Sequence, residues 1–184
     1  MQTKRLYVVL ADDDDDDRMI FEHAFNEVRI AHTLDIVDDG YALIHYLENA
    51  AELPDIIFLD MNMPGKSGKE CLREIRANPK FREVPVVIYS TSASAADLED
   101  TFVAGANVYV KKPNDFLELK KRLAYILSIS KLYVTDGLNR SNFIMSFLDG
   151  PKAYTPKSAL LFYHHICRQT SLLINPFPPI FLSS

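Results

Sequence analysis

The stretch Pro54-Asp55-Ile56-Ile57-Phe58-Leu59-Asp60-Met61-Asn62-Met63-Pro64-Gly65 is an apolar run that stops on a carboxylate and then on a turn. Ile56 to Leu59 is too short for a helix and is bounded by Pro54 and by Pro64-Gly65, so it predicts a buried parallel strand. Asp60 then stands at the carboxyl end of that strand. In open α/β sheets this edge is where ligands bind, because strand ends and the loops after them converge there while helices cover both faces. Taken alone, an Asp in such a place is more often a cap or turn residue.

Working outward, three other stretches end on chemistry as well. Leu6-Tyr7-Val8-Val9-Leu10-Ala11 runs into Asp12 and Asp13, Pro85-Val86-Val87-Ile88-Tyr89-Ser90-Thr91 ends in hydroxyls, and Val108-Tyr109-Val110-Lys111-Lys112-Pro113 ends in a cation. Parallel strands of one sheet bring these ends to one edge, so acids, a hydroxyl and a lysine converge. A further strand is expected at Thr33 to Val37. Apolar spacing outlines helices through Met19, Ile20, Ala24 and Val28, through Ala42, Leu43, Tyr46 and Leu47, and through Cys71, Leu72 and Ile75. Two more helices are expected at Ala95 to Ala104 and through Phe116, Leu119, Leu123, Ile126 and Leu127. These β-α units define the fold class as α/β.

After the first strand come six aspartates in a row, Asp12 to Asp17. Most such runs are solvated charge. Here position divides them: Asp12 and Asp13 lie at the strand end and are assigned to the site. Asp15 to Asp17 lie in a first helical turn, where acids cap free N–H groups and oppose the dipole favourably. The rest of the run, Asp14 included, goes to the helix start, and the register is set only to within one residue, since identical letters carry no landmark. In the same way, Ser90-Thr91-Ser92 reads either as a site hydroxyl or as a capping cluster for the next helix. Met61 and Met63 read as space-filling residues. His45 reads as a surface or packing residue, with no second His or Cys at metal spacing.

In this order and at these intervals, the four strand-end motifs resemble the receiver domain of two-component response regulators, over residues 4 to 129. The resemblance implies a flavodoxin-like receiver fold, a doubly wound five-stranded parallel sheet with strand order 2-1-3-4-5. It implies Asp60 as phosphoacceptor, a metal site of Asp12, Asp13, Asp60 and the backbone carbonyl of Asn62, and Ser90 as the hydroxyl that bonds a phosphoryl oxygen. Lys112 matches the site lysine, with a cis bond to Pro113, and Lys111 is then its solvated neighbour. Tyr109 matches the aromatic that switches together with Ser90. Three carboxylates in contact repel unless one is protonated or a cation neutralises them. Oxygen-only ligands, with neither thiolate nor imidazole, point to Mg2+.

With the charge neutralised and Lys112 acting as a point charge, Asp60 is expected to attack a phosphoryl donor and form an aspartyl phosphate. The donor implied is a phosphohistidine on a sensor histidine kinase or a histidine phosphotransfer protein. The chain itself has no G-x-G-x-x-G or G-x-x-x-x-G-K-[ST] motif. The output implied is a downstream protein target, met through a face of the fourth helix, fifth strand and fifth helix, which is also the candidate homodimer face. Such a protein is not a turnover enzyme. Two alternatives stand beside this reading. An Asp-nucleophile, Mg2+-dependent phosphatase places two acids two apart after its first strand, but it carries a cap insert for which there is no counterpart here. A receiver-like interaction module that is never phosphorylated has no need of the full set Asp12, Asp13, Asp60, Ser90 and Lys112.

The chain has 184 residues and 48% hydrophobic content, enough for one full-sized domain plus a remainder. Residues 1–128 carry 15 Lys+Arg against 23 Asp+Glu, a balance of −8 that argues against a nucleic-acid surface, whereas residues 129–184 carry 5 against 2. The division expected is a receiver domain at 1–129 and a C-terminal extension of unassigned role at 130–184. That extension lacks the three helices and basic face of a helix-turn-helix effector. It holds an apolar stretch at 159–174, and half of the chain's 10 prolines lie from Gly150 onward. Its readings are a partner-binding or dimer-forming extension, a peripheral membrane helix, sequence not under the same selection, or, the one favoured, a loosely packed segment without chemistry. Cys71 and Cys167 make no disulfide framework. The charged start is followed by too short an apolar run for a signal peptide, and no stretch suits a bilayer, so a cytoplasmic protein is expected.

Overall fold

The computed structural model describes residues 5–136 and 146–147, with side-chain surroundings described for 5–127. Five β-α units follow one another. β1 is Leu6–Ala11, α1 Asp15–Asn26, β2 His32–Val37, α2 Gly40–Asn49, β3 Ile56–Leu59, α3 Gly68–Ala77, β4 Val86–Ser90, α4 Ala95–Val103, β5 Val108–Lys111 and α5 Phe116–Asp136. The strands pair in the order β2-β1-β3-β4-β5, every pair parallel. This is the doubly wound order expected. A sixth strand, β6 (Ser146–Phe147), adds to the β5 edge, with Tyr109 opposite Ser146 and Val110 opposite Phe147. Two residues are too few for any alternation to be read from sequence. The apolar stretch at 159–174, Cys167 and the proline-rich end lie outside the described residues.

β1, β3, β4 and β5 are buried at almost every position because both faces of the sheet are covered there, whereas the edge strand β2 alternates between half-buried and exposed residues. Leu6, Val8, Leu10, Ile56, Phe58, Val87, Tyr89, Val108 and Val110 pack with α1 and α5, whereas Val9, Ala11, Ile57, Leu59, Val86, Ile88 and Tyr109 pack with α2 and α3. On the first face Phe21 is fully buried, with ring centroids 5.0 Å from Phe58 and 5.4 Å from Tyr89. Burying one such ring stabilises the fold by roughly 1.5–3 kcal/mol.

Two helix faces differ from the sequence reading. On α1, Met19 and Ile20 are exposed, and Phe21, Ala24, Phe25 and Val28 are buried. Those four also have helical spacing, and the two phenylalanines bury more area than Met19 and Ile20 would. On α2, Ile44 is buried beside Leu43 and Leu47, while Tyr46 stays half-exposed and donates its hydroxyl to Asp35 Oδ2 at 2.5 Å.

Caps fix where the helices begin. The Asp14 carboxylate accepts from the N–H groups of Asp16 at 2.9 Å and Asp17 at 3.0 Å, so Asp14, and not Asp15 to Asp17, caps α1. Ser67 and Glu70 form a reciprocal capping box on α3. Ser94, not Ser90 to Ser92, caps α4 and leaves the Ser90 hydroxyl free of that duty. At the other edge of the sheet the half-buried Arg76 acts as a staple. Its Nε donates to the Gly105 carbonyl at 2.8 Å, Nη1 to those of Arg82 and Val84 at 2.8 and 2.9 Å, and Nη2 to Asn107 Oδ1 at 2.7 Å.

Candidate functional site

Strand register places the site residues level with one another. Ala11 pairs with Leu59, Leu59 with Ile88, and Ser90 with Lys111. Backbone hydrogen bonds carry the pairing one step further, from Asp60 N to the Ala11 carbonyl at 2.9 Å and from Lys112 N to the Ser90 carbonyl at 2.7 Å. Asp12, Asp60 and Lys112 each lie two positions beyond a residue that packs on the α1–α5 face, Leu10, Phe58 and Val110. The period-two pleat therefore directs all three toward the same side of the sheet edge.

Asp12, Asp13 and Asp60 offer carboxylate oxygens that all lie within 4.8 Å of one another. Asp12 is fully buried, Asp60 nearly so at 6% exposure, and Asp13 is exposed. Burial pushes the carboxyls of both Asp12 and Asp60 above the usual range, against the lowering effect of the nearby Lys112 ammonium. A buried acid pair held in this way is short of positive charge. The donor set is oxygen only, which is the chemistry a hard divalent cation requires, and the three acids fit such an ion.

The lysine meets these acids directly. Its Nζ lies 2.8 Å from Asp12 Oδ2, 2.7 Å from Asp17 Oδ2 and 3.8 Å from Asp60 Oδ1, and it stands 5.3 Å from the centre of the buried Tyr89 ring. Burial alone would lower the lysine's pKa, but its pairing with Asp12 and Asp17 outweighs this and raises it. Lys112 therefore stays charged. Lys111 is exposed, as expected of the solvated neighbour. The Lys112–Pro113 peptide is trans, since no described peptide bond is cis, which corrects the expected cis bond. The trans form is the lower in energy for X-Pro by about 0.5–1 kcal/mol, and the ion pairs already direct the side chain.

Ser90 is fully buried at the end of β4, and its Oγ has no hydrogen-bond partner. Tyr109 is 2% exposed, with its hydroxyl donating to the Ser92 carbonyl at 2.8 Å. The ring is inside. The Asn62 N–H points back to Asp60 Oδ2 at 3.4 Å, which folds the loop after the acid over it.

Sequence reasoning missed three contributors. Asp17, expected only at the helix start, also pairs with Lys112. Arg18 donates from Nη1 to the Asp12 carbonyl at 2.7 Å and ties α1 to the end of β1. Gly68 packs directly under the acceptor loop, and a Cβ there would stand 2.0 Å from the Asp60 carbonyl oxygen.

Fold and site together define a doubly wound α/β protein whose carboxyl edge holds a cation-ready acid cluster with a lysine and a free hydroxyl. The family described as response regulator receiver domain matches residues 8–124, and the chain belongs to it. Response regulator Rcp1 of Synechocystis is 31% identical over 126 residues, spanning 66% of this chain and 86% of that protein. The solved Mn(2+)-bound form of response regulator Rcp1 is 30% identical with TM-score 0.61, covering 67% of this chain and 92% of that one. The phosphorylated cyanobacterial phytochrome response regulator RcpA is 27% identical with TM-score 0.64, over 72% and 96% of the two chains. The receiver domain of the histidine kinase PA1611 from Pseudomonas aeruginosa, solved with magnesium in its active-site cleft, is 26% identical with TM-score 0.57, over 68% and 99%.

The chain therefore carries a phosphoacceptor receiver of two-component signalling, a class of switches and not of turnover enzymes that implies a kinase as partner, and its acid cluster has the oxygen donors that a divalent cation requires. No helix among the described residues is long and apolar enough to cross a membrane.

Proposed function

We propose that Asp60 is the residue phosphorylated, with Mg2+ as the ion held by Asp12, Asp13, Asp60 and the backbone carbonyl of Asn62. The observation that carries this is the meeting of residues separated by up to 100 positions, with Lys112 Nζ 3.8 Å from Asp60 and 2.8 Å from Asp12. When bound, the ion neutralises the acids and draws phosphoryl oxygens toward Asp60. A carboxylate oxygen of Asp60 attacks phosphorus as the P–N bond of the donor phosphohistidine breaks. The departing imidazole keeps that electron pair and takes a proton from water. Lys112 offers its ammonium to a phosphoryl oxygen, and Ser90 Oγ, which spends no hydrogen bond elsewhere, offers another donor.

Once phosphorylated, the Asp60 site gains close to two negative charges. Ser90 turning toward the new oxygens, with Tyr109 leaving its bond to the Ser92 carbonyl, is the switch proposed. Its readout is the face of α4, β5 and α5, offered to a downstream protein or to a second copy of the chain, and no nucleic-acid surface is assigned. The phosphoryl source is a sensor histidine kinase or a histidine phosphotransfer protein in the cytoplasm. Residues 1–129 hold this unit, and 130–184 are an extension without assigned role. α5 runs past that division, to Asp136.

The test is labelling by a small phosphodonor such as acetyl phosphate in the presence of Mg2+. Wild type is expected to gain a base-labile acyl phosphate and Asp60→Asn to gain none; label of that character on the variant would refute the assignment.

A further inference from the structure

The Lys112 ammonium is not centred on the acceptor. Its hydrogen bonds go to Asp12 at 2.8 Å and Asp17 at 2.7 Å, while Asp60 stands 3.8 Å away, beyond hydrogen-bond range. Asp12 is one of the clustered acids, but Asp17 is not. Asp17 lies in the first turn of α1, with its backbone N–H held by the Asp14 cap and its side chain 35% exposed. α1 therefore reaches across the site edge with a charge that neither the acid cluster nor the acceptor loop supplies.

We propose that Asp17 is a positioning residue of the phosphoacceptor site, holding the Lys112 ammonium toward α1 in the unphosphorylated protein and competing with phosphoryl oxygens for it. The proposal rests on Asp60 being the acceptor. An ammonium has three N–H donors, and here two are committed to Asp12 and Asp17. A phosphoryl group arriving at Asp60 must engage the one that remains or take one from a carboxylate. Asp12 is fully buried, out of reach of water, whereas Asp17 borders solvent, where water can replace the lysine. Asp17 is thus the partner that gives way. Until it does, it also adds a negative charge to the field that an incoming phosphoryl group meets.

A purely structural role predicts something different. An acid in a first helical turn also favours the helix dipole, so losing it would cost a little stability without altering the site. Two variants of the full chain separate the cases. Asp17→Asn keeps the shape and removes the charge; Asp17→Glu keeps the charge. Each is titrated with beryllofluoride in Mg2+ and followed by backbone amide resonances, and the lifetime of the acyl phosphate made from acetyl phosphate is measured alongside.

Asp17→Asn is expected to bind beryllofluoride roughly three- to tenfold more tightly than wild type, the scale of one ordinary net hydrogen bond freed, and to hold its acyl phosphate longer. Asp17→Glu is expected to stay within about twofold of wild type. Asp17→Asn indistinguishable from wild type, or both variants shifted alike, would overturn the positioning role while leaving Asp60 as acceptor. A wild-type protein that does not respond to beryllofluoride would overturn both the acceptor assignment and this proposal.

Discussion

Substituting Gly68 by alanine sets two effects of opposite sign against each other. Gly68 is the first residue of α3, and alanine in a helix is favoured over glycine by about 1 kcal/mol, less at the terminus. Propensity alone thus predicts a gain in stability. Against it, the new Cβ would stand 2.0 Å from the Asp60 carbonyl oxygen and 2.9 Å from Met61 Cα. Ordinary contact starts at 3.4 Å, so the acceptor loop or the start of α3 must yield by about 1.4 Å. Both obstacles are backbone, and the Gly68 N–H is bonded to the Met61 carbonyl at 3.1 Å, so no flexible side chain can swing aside. Overpacking of this kind costs roughly 1–3 kcal/mol, and the steric term wins. Moving the acceptor by about 1 Å is also expected to slow phosphorylation by 10- to 100-fold. Urea unfolding and the rate of acyl-phosphate formation from acetyl phosphate measure the two consequences. A variant as stable as wild type that labels at the wild-type rate would refute the steric reasoning.

Arg76→Met keeps the stem but removes the donors that serve Gly105, Arg82, Val84 and Asn107, and is expected to destabilise by roughly 2–4 kcal/mol in urea unfolding. A loss below about 1 kcal/mol would show that water replaces the guanidinium readily. The pH dependence follows from the raised carboxyls of Asp12 and Asp60. A carboxyl whose folded pKa exceeds its unfolded value binds protons preferentially in the folded state, so stability rises as pH falls through the folded pKa toward 3.8. The opposite contribution, from the lowered carboxyls of Glu27, Glu70, Asp14 and Asp97, is lost only below 4.5 for the glutamates and below 3.8 for the aspartates. In metal-free buffer the urea midpoint is therefore expected to climb between neutral pH and mildly acid pH, and Asp60→Asn is expected to flatten the climb. A midpoint independent of pH over that range would count against buried, ionised acids at the site. At the alkaline end, Lys112 contributes fully below 10.5 and loses its contribution as pH rises through its raised folded value.

β1, β3, β4 and β5 were legible because each is an apolar run closed by residues of a different chemical kind. Parallel pairing then made the convergence of Asp12, Asp60, Ser90 and Lys112 a matter of topology. What sequence left open was register within repetition. In Asp12 to Asp17 nothing distinguishes one letter from the next, and only the folded geometry assigns Asp14 to the helix, through its cap, and Asp17 to the lysine, through its ion pair. The inward face of α1 could have been found, since Phe21, Ala24, Phe25 and Val28 carry the same period as the residues first chosen and more buried area. Gly68 could not. Its role depends on how closely α3 approaches the end of β3, a distance between backbones that no pattern of side chains encodes.

The tract of six aspartates has a genetic side as well. Six nearly identical triplets in succession are prone to contract by one unit when copied, and whichever triplet is lost, the resulting chain is the same. Positions 12, 13 and 14 would still read aspartate, so the buried acid, its exposed neighbour and the helix cap survive. The loss surfaces at the far end, where the guanidinium of Arg18 moves up one place to meet the Lys112 ammonium and attraction turns to repulsion. The number of repeats, rather than the identity of any one of them, sets the sign of the charge that this lysine faces.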